Sequence, residues 1–272
     1  MLEGEEKMKS KKGVGFLVLL FVVTLFAQNA SADWLAPKWV QLPDLTTYGM
    51  DIRIDRDDQL PRVVADDFLC TESSPVADVH FWGSWKDDIK GEITKIHLSI
   101  HSDIPASQSS TGYSMPGNLL WESDFLQGQF TERHYADISP SYERWCDPYA
   151  GVLLQNGDQN IWQYNIFIDD PFLQEGTPEN PIVYWLDIYV ETDGLGQFGW
   201  KTSMQHWNDD AVFWGQIPGG ALGWHELIYP YDTPPWQGES VDMAFVITPE
   251  PTTLLLLAGG GLMIRTRKRR PA

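Results

Sequence analysis

Basic residues and cysteines are scarce in this chain. Only 19 Lys and Arg stand against 38 Asp and Glu, and 272 residues hold 2 cysteines. Four of the basic residues lie in positions 1–32 and five in 265–270, whereas those two ends hold only four of the acids, so region 33–248 carries a net charge of −24. A surface of that sign repels nucleic acid and anionic lipid and favours cations, which excludes a nucleic-acid partner. Two cysteines allow one disulfide at most, and neither sits in a sequence neighbourhood that marks a nucleophile. No window between the ends sustains helical periodicity, which leaves strands as the building element. Catalytic signatures are missing too. There is no G-x-S-x-G elbow and no P-loop, and His225-Glu226 is followed by Tyr229 where a zinc protease needs a second His. The acidic run from Asp51 to Asp58 lacks the Gly and terminal Glu of an EF-hand loop.

What is present begins with a leader. Lys7, Lys9, Lys11 and Lys12 precede the apolar stretch Val14 to Ala27, and Ala30-Ser31-Ala32 supplies small residues for cleavage. This is the pattern of a secretory signal, with residues 1–32 removed by a Sec-type export machinery and Asp33 as the mature N-terminus. A spanning helix needs about 20 apolar residues, more than this stretch offers. Glu3, Glu5 and Glu6 are out of place in a positive n-region, so translation is expected to begin at Met8 rather than Met1.

The other end, 249–272, is ordered as Pro249-Glu250-Pro251, an apolar run 252–264, and a basic cluster 265–270 that contains Arg265 and Arg267. Prolines stop any preceding strand, and the cluster is retained on the cytoplasmic side. This order resembles the PEP-CTERM sorting signal, which exosortase-type membrane proteases process in bacteria that make extracellular polysaccharide. The resemblance implies a brief membrane anchor, processing by such a protease, and release to the cell envelope or the medium. As a helix the apolar run spans only about 20 Å against a hydrocarbon core of about 30 Å, so it would be a short transmembrane helix.

Region 33–248 is long enough for one domain with a core. In Glu92–His101 the apolar Ile96, Leu98 and Ile100 alternate with His97, Ser99 and His101. The same period of two runs through Trp162–Ile168, Ile182–Val190 and Val241–Ile247, and shorter candidates occupy 62–70, 76–82, 119–125, 151–154, 198–203, 211–217 and 224–229. Turn-forming clusters separate them, among them 105–117, 176–181 and 230–238. Ten or eleven short strands punctuated in this way predict an all-β fold: one antiparallel β-sandwich or jelly roll.

Several blocks look familiar together: Val64 to Cys70 (VADDFLC), Asp78 to Trp85 (DVHFWGSW), Leu98 to Pro105 (LSIHSDIP), Phe198 to Ser203 (FGWKTS) and Trp207 to Val212 (WNDDAV). They resemble an uncharacterised domain of exported bacterial proteins, often found with the same kind of tail. The resemblance spans roughly 40–248 and implies a β-sandwich without implying an activity.

Candidate site residues follow from chemistry. Cys70 and Cys146, in an oxidising compartment, form a candidate disulfide. Asp66 and Asp67 sit inside a strand, where a carboxylate is costly unless paired or coordinated, and Asn208, Asp209 and Asp210 directly precede another. These five are the candidate ligands of a structural calcium ion, which favours hard oxygens. All 13 tryptophans lie in 33–248, and Trp82, Trp85, Trp207 and Trp214, close to polar loops, are the candidates for stacking on sugar rings. The resulting expectation is an exported, non-catalytic β-sandwich of the envelope or matrix that binds extracellular polysaccharide. The rival readings are a glycoside hydrolase, which needs two carboxyls about 5–9.5 Å apart, and a purely structural matrix protein.

Overall fold

The structure, a computed structural model, describes residues 37–56, 62–217, 221–230 and 237–249. The leader with its cleavage residues Ala30, Ala32 and Asp33, and the tail from Glu250 through Arg265 and Arg267, lie outside the described residues. Among the described residues no helix is long and apolar enough to cross a membrane.

Sixteen strands follow in order among the described residues. The first five are β1 (Trp39–Gln41), β2 (Met50–Arg53), β3 (Val63–Cys70), β4 (Pro75–Trp85) and β5 (Ile93–Ile104). Next come β6 (Met115–Leu126), β7 (Phe130–Asp137), β8 (Glu143–Asp147), β9 (Val152–Asp158), β10 (Asn160–Leu173) and β11 (Ile182–Thr192). The last are β12 (Phe198–Ser203), β13 (Val212–Gln216), β14 (Leu222–Glu226), β15 (Asp242–Met243) and β16 (Phe245–Thr248). They build two packed sheets. The larger has ten strands along the path β1-β16-β4-β12-β2-β8-β9, with β10 and β15 pairing onto β4 and β12, and β7 onto β10. The smaller has six, in the order β14-β13-β3-β11-β5-β6. The expected antiparallel sandwich is therefore present, with one parallel pair, β2 on β8.

Alternation decides which side chains meet between the sheets. Ile96, Leu98 and Ile100 of β5, and Tyr184, Leu186, Ile188 and Val190 of β11, all face a core closed by Ile52, Phe81, Tyr164, Phe198, Trp200 and Phe245 of the larger sheet. Successive side chains on a strand point to opposite faces, so the intervening His97, Ser99, His101, Asp187 and Tyr189 fall on the outer face of the smaller sheet. Strands β7 and β8 are absent from the expected set because their sequences, FTERHYAD and ERWCD, are mostly polar.

Two expectations change here. Trp82 and Trp85 are fully buried, at 0% and 1% exposure, and cannot stack on a sugar. Trp82 meets Tyr135 edge-on at 5.5 Å because the outer side of β4 is itself covered, whereas Trp85, on the other face of that strand, points into the core between the sheets and meets Phe198 at 5.2 Å. Trp207 is half-buried against Trp39, 5.0 Å away. The candidate disulfide is not formed. Cys70 and Cys146 are free thiols on strands of different sheets, β3 and β8, and burial pushes the Cys146 thiol up to about 12, so little reactive thiolate exists. A reducing agent is therefore expected to leave the melting temperature unchanged, and thiol titration in denaturant should count two groups. A reductant-sensitive melt with fewer than two thiols would contradict this.

Candidate functional site

The outer face of the smaller sheet carries two adjoining zones. Register places Trp224 of β14 opposite Trp214 of β13, Trp214 opposite Val63 of β3, and Tyr189 of β11 opposite His97 of β5. The two indoles meet edge-on with centroids 5.4 Å apart, and His97 stacks flat on Tyr189 at 4.5 Å. A neighbouring row brings Asp187 opposite Ser99, and Ser99 opposite Glu122 of β6. Together with His101 these groups line an open groove of about 180 Å³. Half-exposed rings beside carboxylates and a hydroxyl match what a sugar offers, an apolar C–H face and a rim of hydroxyls.

His101 orders the polar side of this groove. Its Nε2 lies 2.7 Å from Asp187 Oδ2 and 2.9 Å from Ser99 Oγ. Partial burial works against the charged ring, but the Asp187 carboxylate outweighs it and raises the pKa. His97 and His101, polar residues of the outer face as their alternation with Ile96, Leu98 and Ile100 implies, both line the groove.

The second zone is acidic and sits at the adjacent end of the face. Here Asp67, Asn208, Asp209 and Asp210 gather with acids from distant strands, whereas Asp66, on the opposite face of β3, points toward Met243 of the larger sheet. The Asn208 amide donates to Asp67 Oδ2, and Asn208 adopts the left-handed conformation at φ 60°, which Asn tolerates. Asp209 Oδ2 accepts from the backbone N–H and hydroxyl of Ser114, at 2.6 and 2.8 Å. Asp66 Oδ2 accepts from Met243 N–H at 2.7 Å, and Asp242 Oδ2 accepts from Trp207 N–H at 2.7 Å. Carboxyl oxygens of Asp209, Asp210 and Glu226 lie within 4.8 Å of one another, a spread that one calcium with oxygen ligands at about 2.4 Å can span. The other oxygen of Asp67, Oδ1, is buried without a hydrogen-bond partner. Asp66, Asp67 and Asp242 are fully buried.

These acids hold protons that exposed carboxyls would release. Burial pushes Asp67 up to about 8, opposed by the Asn208 hydrogen bond and reinforced by Asp242, Asp103 and Asp209. Burial raises Asp242 to about 7, with Asp210 and Asp209 adding to it against hydrogen bonds from Trp207 and Ser240. Glu226 rises to about 7 through burial and the nearby Asp210. His206, 3.8 Å from Asp242, offsets little, because burial lowers its own pKa. Such a set needs protons or a cation.

Between the zones lies a small outer core. Trp185, Ala65 and Val212 pack there beneath Tyr113 and Trp224. Trp185 Nε1 donates to Asp103 Oδ1 at 2.9 Å, and Tyr113 donates its hydroxyl to Trp224 O at 2.9 Å. The loop after β5 is thereby tied over the face. The paired acids Asp87/Asp88 and Asp169/Asp170 take no part. The first pair forms a 3-10 turn after β4, and the second is exposed on β10.

A family model described as a domain of unknown function, DUF7901, matches residues 37–248. The chain belongs to the DUF7901 family. The match spans the described sandwich and every residue of both zones. Neither a search of curated proteins nor one of solved structures finds a match. The DUF7901 domain thus supplies a family without supplying an activity, and the groove and acid zone are the features from which function is read. Sequence reasoning missed Trp224, Tyr189, Asp187, Glu226, Asp103 and Asp242. For Trp224 a signal did exist: Trp214 and Trp224 stand at equal distance in sequence from the segment Pro218-Gly219-Gly220, as hairpin partners do.

Proposed function

We propose that this domain is a non-catalytic, polysaccharide-binding β-sandwich, delivered to the cell envelope or matrix by its leader and its PEP-CTERM-like tail. The observation that carries the reading is the Trp214–Trp224 pair, open to solvent on a sheet face beside Asp187, Glu122, Ser99 and His101. Of the four tryptophans expected to stack, Trp82 and Trp85 are buried, Trp207 is half-buried against Trp39, and Trp214 lines the groove. The acid zone supports a structural calcium ion held by Asp209, Asp210 and Glu226 with Asp67 behind them, which would fix the loops that flank the groove. The leader and tail support an export partner and an exosortase-type protease as the other partners.

Binding is tested by calorimetry of the purified chain against a panel of soluble polysaccharides, in calcium and in chelator. With the glycan that binds, Trp214→Ala and Trp224→Ala should each weaken affinity about tenfold, since an aromatic stacking contact contributes about 1–1.5 kcal/mol. Trp214→Ala should melt within a few degrees of the parent, because its ring is partly exposed, whereas Trp224→Ala also uncovers Trp185 and should melt lower. Absence of binding by every glycan, or unchanged affinity in both variants, would remove the reading. Release of shortened sugar chains would favour the hydrolase instead, and Glu226→Gln would then be its first test.

A further inference from the structure

A second group of charged residues lies in the larger sheet, away from the groove, and no solvent reaches it. Lys201 of β12 stands directly opposite Asp51 of β2, and Glu143 of β8 directly opposite Asp158 of β9. All four residues are 0% exposed. Lys201 donates to Glu143 Oε2, and its Nζ lies 3.5 Å from Asp51 Oδ2. Glu143 Oε1 also accepts from Ser84 Oγ at 3.3 Å, which holds that carboxyl in place. Neither carboxyl oxygen of Asp51 accepts a hydrogen bond, and the same holds for Asp158. Gly49 leaves the space that the ammonium occupies: a Cβ there would sit 2.6 Å from Nζ and 3.1 Å from Glu143 Oε2.

One lysine cannot balance three enclosed carboxylates. Burial drives Asp51 and Asp158 toward the neutral acid, with neighbouring acids adding to it. Lys201 is pulled the other way by Glu143, Asp51 and Asp158, which outweigh its own burial. In a dry site an ion pair has little advantage over the neutral pair reached by passing one proton from lysine to glutamate. Lys201 Nζ thus lies 3.5 Å from Oδ2 of an aspartic acid that burial favours in its neutral form, and Glu143, which accepts from Nζ, is placed to take the proton that Lys201 must give up to become a nucleophile.

We propose that Lys201 Nζ and Asp51 Cγ are joined by an intramolecular isopeptide bond that the fold itself makes, with Glu143 as proton carrier. Glu143 takes a proton from Lys201, and the free amine attacks Cγ of protonated Asp51. The N–C bond forms, Glu143 passes its proton to the departing hydroxyl, which leaves as water when the C–O bond breaks, and Glu143 then takes the second proton from the new amide nitrogen and ends as the neutral acid. No oxidant, metal or cofactor enters, and the balance is one amine and one acid giving one amide and one water. Water exclusion and fixed geometry favour the amide over the separated groups. The bond would clamp β12 to β2, neighbours in the sheet but far apart in the chain.

The test is the intact mass of the purified full chain under denaturing conditions, with its termini read from the same sample by peptide mapping. The expected result is a mass one water below that of the sequence between those termini, and a branched peptide joining Lys201 to Asp51. Lys201→Met and Asp51→Ala should each restore the full sequence mass, and Glu143→Gln should slow the linkage at least tenfold. The parent measurement stands even where a variant fails to fold. A parent at full mass with separate Lys201 and Asp51 peptides would overturn the proposal, as would a branch placed at another residue. A full-mass parent stabilised by calcium or magnesium, but not once Asp158 is replaced by Asn, would equally overturn it and assign the cluster to an ion.

Discussion

In chelator, raising the pH from about 5 to about 8 should lower the melting temperature of this domain by more than about 10 °C, and calcium should recover much of that loss. Asp67 has a folded pKa of about 8 and Asp242 of about 7, against a usual carboxyl value of 3.8. Between those limits the folded chain keeps protons that the unfolded chain has released. Stability from these groups is therefore complete below about pH 4 and is lost as pH rises through the folded pKa values. For Asp67 alone the full swing is on the order of 5 kcal/mol, at about 1.4 kcal/mol per pKa unit, in a protein class stable by about 5–15 kcal/mol. Calcium competes with the same protons, so its stabilising effect should be large near pH 8 and small near pH 5. Asp67→Asn should flatten the pH dependence and raise the melting temperature in chelator at the higher pH. Differential scanning calorimetry across pH, with calcium and with chelator, reads all of this. A flat pH profile in chelator, or no calcium effect at high pH, would remove the ion from this zone.

Trp185→Ala should be the most damaging single change to the binding face, costing about 3–5 kcal/mol, the usual range for emptying a buried aromatic site. Trp185 is 0% exposed although it lies on the outer side of its sheet, because Tyr113 and Trp224 roof it. Its removal opens a cavity under the groove and frees Asp103, its hydrogen-bond partner at 2.9 Å. The loop carrying Ser114, which holds Asp209, would lose its footing as well. Urea denaturation should show the loss in midpoint at unchanged slope, and glycan and calcium binding should fail together. Trp185→Phe keeps most of the volume and loses the indole N–H, so it should cost about 1–2 kcal/mol, the penalty of an unmade buried hydrogen bond. A Trp185→Ala variant with near-parental stability would show that the roof carries no load.

The contrast between Trp185 and Trp214 explains which parts of the site were legible beforehand. Alternation puts Trp185 on the outer face of β11, opposite Tyr184 and Leu186, but says nothing of whether that face is covered. Exposure depends on whether a loop covers that patch of sheet, and the roof over Trp185 comes from Tyr113, 72 positions earlier. The same reason defeated Trp82, covered by Tyr135 of β7, whereas Trp85 faces the core between the sheets. The acids fared better. Asp66 and Asp67 were suspect because a carboxylate inside a strand demands compensation, and Asn208 to Asp210 because they crowd a strand start. Glu226, Asp103 and Asp242 had no such local oddity, and only β-pairing brought them near.

From the sequence alone came the all-β class, the alternating core faces of β5, β10 and β11, and the excess of negative charge. These follow from period-two patterning and composition, which are local or additive properties. Tertiary structure alone decided the sixteen-strand arrangement, the free state of Cys70 and Cys146, the tryptophans left open, and the meeting of Lys201 with Asp51 and Glu143. Those outcomes depend on strand order and register. A pleated strand specifies which face a residue takes, but its partner across the sheet comes from elsewhere in the chain.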